Sequence, residues 1–244
     1  MKEQKLEIVA HRGLSQSYPE NTLPAFKAAA ALELYAIEFD VHLTRDGVPV
    51  VTHDDTVDRC SNGHGRVDGF SSAEISRLDF GGWKAPDFAG LRLPTLTETL
   101  DTIWAVNPAM RLLVEIKEDD PACARKVLAE LQHYRRPQQW MMTSFHPEIL
   151  KLLRQMAPDC LLHCSEDEDL PFDPGRYEGV NSIGLGLSVV TPERVARLKQ
   201  LGLRVDAWVV DTASQLQQAQ ACGVDGITSN AADKIIKMLD QEKK

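Results

Sequence analysis

Short apolar runs suited to strands recur along this chain, and helical spacing follows almost every one of them. The strand-type runs fall at 8–10, 36–44, 111–117, 140–144, 160–164, 181–185, 204–210 and 226–229, bounded by turn-forming residues. Helical spacing occupies 23–34, 96–106, 122–134, 147–156, 192–201, 213–222 and 233–241. Alternating strands and helices with short connections imply parallel strands joined by right-handed crossovers. Eight such units predict a closed (β/α)8 TIM barrel rather than an open doubly wound sheet. One crossover departs from the pattern: 166–176 holds Pro171 and Pro174 and shows no helical period, which predicts a loop there. After the second strand, Asp46 and Gly47 signal a turn, and 48–52 reads as a short strand returning in a hairpin. Residues 54–94, rich in Gly, Ser and Asp, form an insertion expected to lie over the barrel mouth. A single domain over 1–244 accommodates all of it.

Two strands carry charge where a barrel core should be apolar. Side chains alternate along a strand, so Ile37, Phe39, Val41 and Leu43 face one way and Glu38, Asp40 and His42 the other. Likewise Leu112, Val114 and Ile116 oppose Leu113, Glu115 and Lys117. With the apolar side turned to the helices, the carboxylates point into the barrel, where burial is costly unless they are paired or bind a cation. A solvated edge strand explains one such alternation, and two among βα units favour a site. Glu38, Asp40 and Glu115 are hard oxygen donors, matched to Mg²⁺ or Ca²⁺ rather than Zn²⁺.

His11 and Arg12 follow the first strand and His53 closes the hairpin, so both histidines are expected at one barrel mouth. Two histidines beside a cation can serve as general base and general acid for displacement at phosphorus. Arg12 and Lys117 can hold nonbridging oxygens, or simply pair with the neighbouring carboxylates.

A formal net charge of −9 and the absence of a Lys/Arg cluster argue against nucleic acid as partner. A bound cation would reverse the local field for an anionic small molecule. The five cysteines are odd in number and scattered, which reads as reduced thiols. The N-terminal residues lack the apolar core of a secretory signal, and no apolar run is long enough to span a bilayer. A cytoplasmic protein without stable membrane insertion is expected; oligomeric state has no signature in the sequence.

The ordered set VAHRG, PENT, IEFDVHLTRDG, THDDTVDRCSNG, LPTL, VEIK, SF and DGITSN resembles the glycerophosphodiester phosphodiesterase family over nearly the whole chain. The resemblance implies a TIM barrel that hydrolyses glycerophosphodiesters to sn-glycerol 3-phosphate and an alcohol with one divalent cation. It implies His11 and His53 as the catalytic pair, Glu38, Asp40 and Glu115 as metal ligands, and Arg12 and Lys117 as phosphate contacts. Trp208 matches a tryptophan near the substrate, though packing at the barrel mouth explains it equally well. Asn21 or Thr22 reads as a cap on the first helix, while Glu20 can reach the site. The chain departs from the family pattern at Ser229, Asn230 and Ala232 and at Val209, Val210 and Asp211. None of these is expected to touch the acid, the base or the ligands.

Attack on phosphorus by the neighbouring glyceryl hydroxyl, giving a cyclic phosphate, and direct attack by water both fit these residues. A lysophospholipase D needs an apolar slot, for which the insertion offers only Phe70, Phe80, Trp83 and Phe88 with scattered leucines. A barrel that binds phosphodiesters without catalysis has no need of the paired histidines. Cys60 with His64, and His163 between Cys160 and Cys164, lack the ligand number and spacing of a zinc site and are explained by packing. His42, on the acidic face of its strand, is placed to support the ligands from behind.

Overall fold

The computed structural model describes residues 6–168 and 170–242. Eight parallel strands close into a barrel: β1 (Glu7–His11), β2 (Ala36–Leu43), β4 (Arg111–Ile116), β5 (Trp140–Ser144), β6 (Leu161–Glu166), β7 (Ser182–Gly186), β8 (Arg204–Trp208) and β9 (Gly226–Ser229). Closure comes from β1, which pairs with β9 on one side and β2 on the other. The chain is thus a (β/α)8 barrel, as its alternation predicts. A short β3 (Pro49–Val51) pairs antiparallel with the end of β2, the hairpin signalled by Asp46 and Gly47.

The outward strand faces pack on α1 (Leu23–Ala30), α3 (Leu96–Val106), α4 (Pro121–His133), α5 (Pro147–Met156), α6 (Pro192–Gln200), α7 (Ala213–Ala221) and α8 (Ala232–Glu242). Ile37, Phe39 and Val41 are fully buried against Phe26, Leu100 and Leu112, so the apolar half of the β2 alternation does what its period requires. Several helices begin on side-chain caps: Thr95 and Thr212 form capping boxes with Glu98 and Gln215, and Asp120 and Thr191 accept from backbone amides. Helix α1 ends at Ala30, earlier than its apolar spacing suggests. The segment after it must turn so that the Tyr35 amide can bond the Ile8 carbonyl and enter the sheet. Among its described residues, the crossover after β6 holds a 3₁₀ turn at Pro174–Tyr177 and no α-helix, in keeping with its two prolines.

The insertion holds its own small apolar cluster, in which Val57, Val67, Ile75 and Phe80 pack with Val50 of β3. A four-residue helix, α2 (Ser72–Ile75), is fixed by a capping box between Ser71 and Glu74. At Gly81, a β-carbon would lie 1.8 Å from the Phe88 carbonyl oxygen, so only glycine allows this close fold-back.

Candidate active site

Strand register assembles the acidic cluster. Asp40 on β2 stands beside Glu115 on β4, and His11 on β1 stands beside Glu38 on β2. The result is three buried carboxylates whose ligand atoms all lie within 4.8 Å of one another. Two of their oxygens, Glu38 Oε1 and Asp40 Oδ1, are buried without a hydrogen-bond partner. Unpaired buried acceptors this close together are costly, and a hard cation is the ligand that satisfies them.

The electrostatics point the same way. Burial, together with the charges of Asp40 and Glu115, holds the Glu38 carboxyl well above its usual range. Burial and Asp40 push Glu115 up to about 7, against the pull of Lys117. Burial acts on Asp40 too, but Arg12, Lys117, His53 and the Asn21 amide together hold its carboxyl below the usual range.

Cations frame the cluster. Lys117 Nζ lies 2.7 Å from Glu115 Oε1 and 3.6 Å from Asp40 Oδ1, and Arg12 Nε lies 3.4 Å from Asp40 Oδ2. The pairing of Arg12 and Lys117 with nearby carboxylates is therefore present, and both side chains also line the central cavity. Arg12 has φ +55°, a left-handed conformation that aims its amide at Glu38 Oε2, 2.9 Å away. Its guanidinium donates to Glu20, which Arg59 of the insertion grips with two further bonds. Arg59 also holds Asp54, whose other contact is His53 Nδ1 at 2.7 Å.

Asn21 is not a helix cap. Its amide donates to Asp40 Oδ2 at 2.8 Å, and Thr22, although it precedes α1, bonds the Pro19 carbonyl instead of capping. A second correction concerns the C-terminal departures, which do reach the histidine. His11 Nδ1 sits 2.7 Å from Asn230 Oδ1, while Asn230 Nδ2 donates to Asp211 Oδ2. Ser229 Oγ donates to the same carboxylate. The signal was chemical type: an amide and a carboxylate at strand ends beside the mouth. The pairing depends on three-dimensional closure between β8, β9 and β1, which periodicity cannot show. His42 spans Glu118 and the His53 carbonyl, behind the ligands.

His11, His53, Glu38 and Glu115 line a cavity of about 490 Å³ together with Arg12, Lys117, Phe145, His163 and Trp208, and Lys117 Nζ lies 5.6 Å from the centre of the Phe145 ring. Phe145 meets Trp208 edge-on at 5.7 Å. No described residue of 54–94 lines this cavity; the insertion touches the site through Asp54, which bonds His53, through Arg59, and through Lys84, which donates to the Ser15 carbonyl. At the opposite barrel end, Asp206 pairs with Arg204, which also binds Glu7. Burial pushes Asp206 up to about 7.

A barrel whose strand ends gather three buried carboxylates beside a cavity lined by two histidines and two cationic side chains suits the chemistry of anionic esters, and the chain falls in the class of TIM-barrel phosphodiester hydrolases. Residues 11–234 match the model of the Glycerophosphoryl diester phosphodiesterase family, and the chain belongs to that family. It is 34% identical over 242 residues to a glycerophosphodiester phosphodiesterase of Caldanaerobacter subterraneus subsp. tengcongensis, covering 96% of this chain and 98% of that one. Among solved structures it resembles a putative glycerophosphoryl diester phosphodiesterase from Silicibacter pomeroyi, with a TM-score of 0.89, 27% identity and coverage of 98% and 95%. It also resembles an Oleispira antarctica phosphodiesterase in complex with the product sn-glycerol-3-phosphate, with a TM-score of 0.86, 26% identity and 96% coverage of both chains.

Proposed function

We infer that this protein hydrolyses glycerophosphodiesters to sn-glycerol 3-phosphate and an alcohol, with one divalent cation, Mg²⁺ or Ca²⁺, held by Glu38, Asp40 and Glu115. The carrying observation is the trio of buried carboxylates with two orphaned oxygens, beside a cavity lined by His11 and His53. The cation supplies positive charge and Lewis acidity for the phosphoryl oxygens. Arg12 and Lys117 steady the nonbridging oxygens, and Trp208 borders the substrate.

Hydrogen bonding divides the work of the histidines. Because Asn230 donates its amide to Asp211, its oxygen faces His11, so His11 carries its proton on Nδ1 and offers Nε2 as an acceptor. Burial and Arg12 lower its pKa to about 4, so the ring is unprotonated and free to accept the nucleophile's proton. His53 leans instead on the carboxylate of Asp54; burial lowers its pKa overall, but Asp40 and this hydrogen bond pull the other way, which suits it better than His11 to the acid that protonates the leaving oxygen.

Release of sn-glycerol 3-phosphate from glycerophosphocholine is the direct test. We expect EDTA to stop it and Mg²⁺ or Ca²⁺ to restore it. Turnover indifferent to EDTA would remove the cation from this reading, and no release from any of several glycerophosphodiesters would remove the activity. Among the described residues no helix is long and apolar enough to cross a membrane.

A further inference from the structure

The floor of the cavity holds a histidine that the proposed chemistry does not use. His163, on β6, is 3% exposed and lines the cavity with the buried Leu113 and Thr143, which together make its enclosed side, or floor. Its Nδ1 lies 2.8 Å from Ser182 Oγ, and among the described residues its Nε2 has no hydrogen-bond partner. Burial, with Arg204 behind it, lowers its pKa to about 3, so the ring is neutral. Room for the ring comes from Gly184 on the adjoining strand: a β-carbon there would lie 2.6 Å from His163 Nε2 and 3.2 Å from Trp208 Cδ1. Beside His163, Thr143 and Ser165 pair through their hydroxyls at 3.1 Å and line the same floor.

Resting on the activity inferred above, we propose that His163 is a specificity-determining residue that recognises the terminal hydroxyl of the substrate's glyceryl group. A diester lying across the site has one end toward the floor and one toward the mouth. The alcohol end is free to vary in size only if it faces solvent, where the exposed rim residue Asp167 lies. The glyceryl end, short and constant, takes the enclosed side. A hydroxyl is donor and acceptor at once, so it satisfies a neutral imidazole nitrogen in either tautomer. A methyl group in its place leaves that buried nitrogen unpaired, and the cost appears in kcat/KM. The same geometry disfavours a 1-acyl glyceryl group, because an acyl chain on that hydroxyl would run against the buried side chains of Leu113, Thr143 and His163.

The experiment compares glycerophosphocholine with the phosphocholine diester of propane-1,2-diol, which keeps the hydroxyl next to the ester and lacks the terminal one. We expect the full-length, cation-loaded protein to prefer the former by about a hundredfold in kcat/KM. His163→Leu should lose about that factor on glycerophosphocholine and be unchanged on the propanediol diester. His163→Gln, which keeps a group able to donate and accept, should recover much of the preference. Calorimetric binding of sn-glycerol 3-phosphate against propane-1,2-diol 1-phosphate reads the same pocket without turnover. Equal rates and equal binding in the unsubstituted protein would overturn the proposal, as would an equal loss on both diesters in a folded His163→Leu. Failure of the activity itself shows separately, as no glycerol phosphate from any diester.

Discussion

His11 Nδ1 lies 2.7 Å from Asn230 Oδ1, joining the end of β1 to the end of β9. Asp211 anchors the far side of that amide through Asn230 Nδ2 at 2.7 Å and the Asn230 backbone N–H at 2.8 Å. The imidazole is therefore fixed in one tautomer by a neutral partner. Replacing Asn230 with Leu should lower kcat by about tenfold to a hundredfold with little change in KM, because ring orientation is lost and binding groups remain. Asn230→Asp should act differently. A carboxylate against Nδ1 stabilises the imidazolium and raises the His11 pKa, so the acid limb of the kcat/KM–pH profile should move up. A limb that stays in place in the Asp variant would separate this amide from the proton transfer.

Assigning the acid to His53 predicts a dependence on the leaving group. An alkoxide leaves only with a proton, whereas p-nitrophenolate leaves without one. His53→Ala should lose most of its turnover on glycerophosphocholine and much less on a p-nitrophenyl diester of glycerol. His11→Ala should be impaired on both, since the nucleophile still needs a base. The reverse pattern in steady-state kinetics would exchange the two roles.

What the sequence revealed, and what it hid, follows from range. Strand periodicity is local, so the inward set Glu38, Asp40, Glu115 and Lys117 was legible from alternation within β2 and β4 alone. The closed barrel was equally legible, because each βα unit declares its own period. Contacts between distant strand ends were not. Asn21 resembles a cap because it precedes a helix, yet its φ of +56° turns the chain so that its amide reaches Asp40. Asn230 looked peripheral, and barrel closure brought it to His11. The contacts of 54–94 with the site were likewise hidden: composition marks an insertion, but not that Asp54 meets His53, Arg59 meets Glu20 and Lys84 meets the Ser15 carbonyl.

Arg59 links that insertion to both halves of the site, with bonds to Glu20 and to Asp54. Through Glu20 it positions Arg12, and through Asp54 it positions His53. Arg59→Met should raise KM through Arg12 and lower kcat through His53, each by about fivefold to tenfold. Lysine should not rescue it, because a single ammonium cannot replace a guanidinium that grips two carboxylates. A kinetically normal Lys variant would show that charge alone suffices.

Finally, the buried carboxylates make cation binding and pH two views of one energy. Burial and Asp40 place the Glu115 carboxyl at about 7 against an ordinary 4.5, and Glu38 shifts in the same direction. Folded protein therefore holds more protons than unfolded chain between those values, and stability falls as pH rises through them. His11 and His163 oppose this lower down: burial, aided by Arg12 for the first and Arg204 for the second, sets them at about 4 and about 3. With folded values below the ordinary 6.5, they add stability as pH rises toward 6.5 and lose it as pH falls. Near pH 8 the histidines have contributed all they can and the carboxylates are crowded and charged. At that pH, Mg²⁺ or Ca²⁺ should raise the melting temperature most; at pH 5.5, where Glu115 is protonated, the gain should be smaller. Glu115→Gln should abolish most of the gain at pH 8. Thermal melts with EDTA and with cation at both pH values check this, and a gain independent of pH would detach cation binding from these three carboxylates.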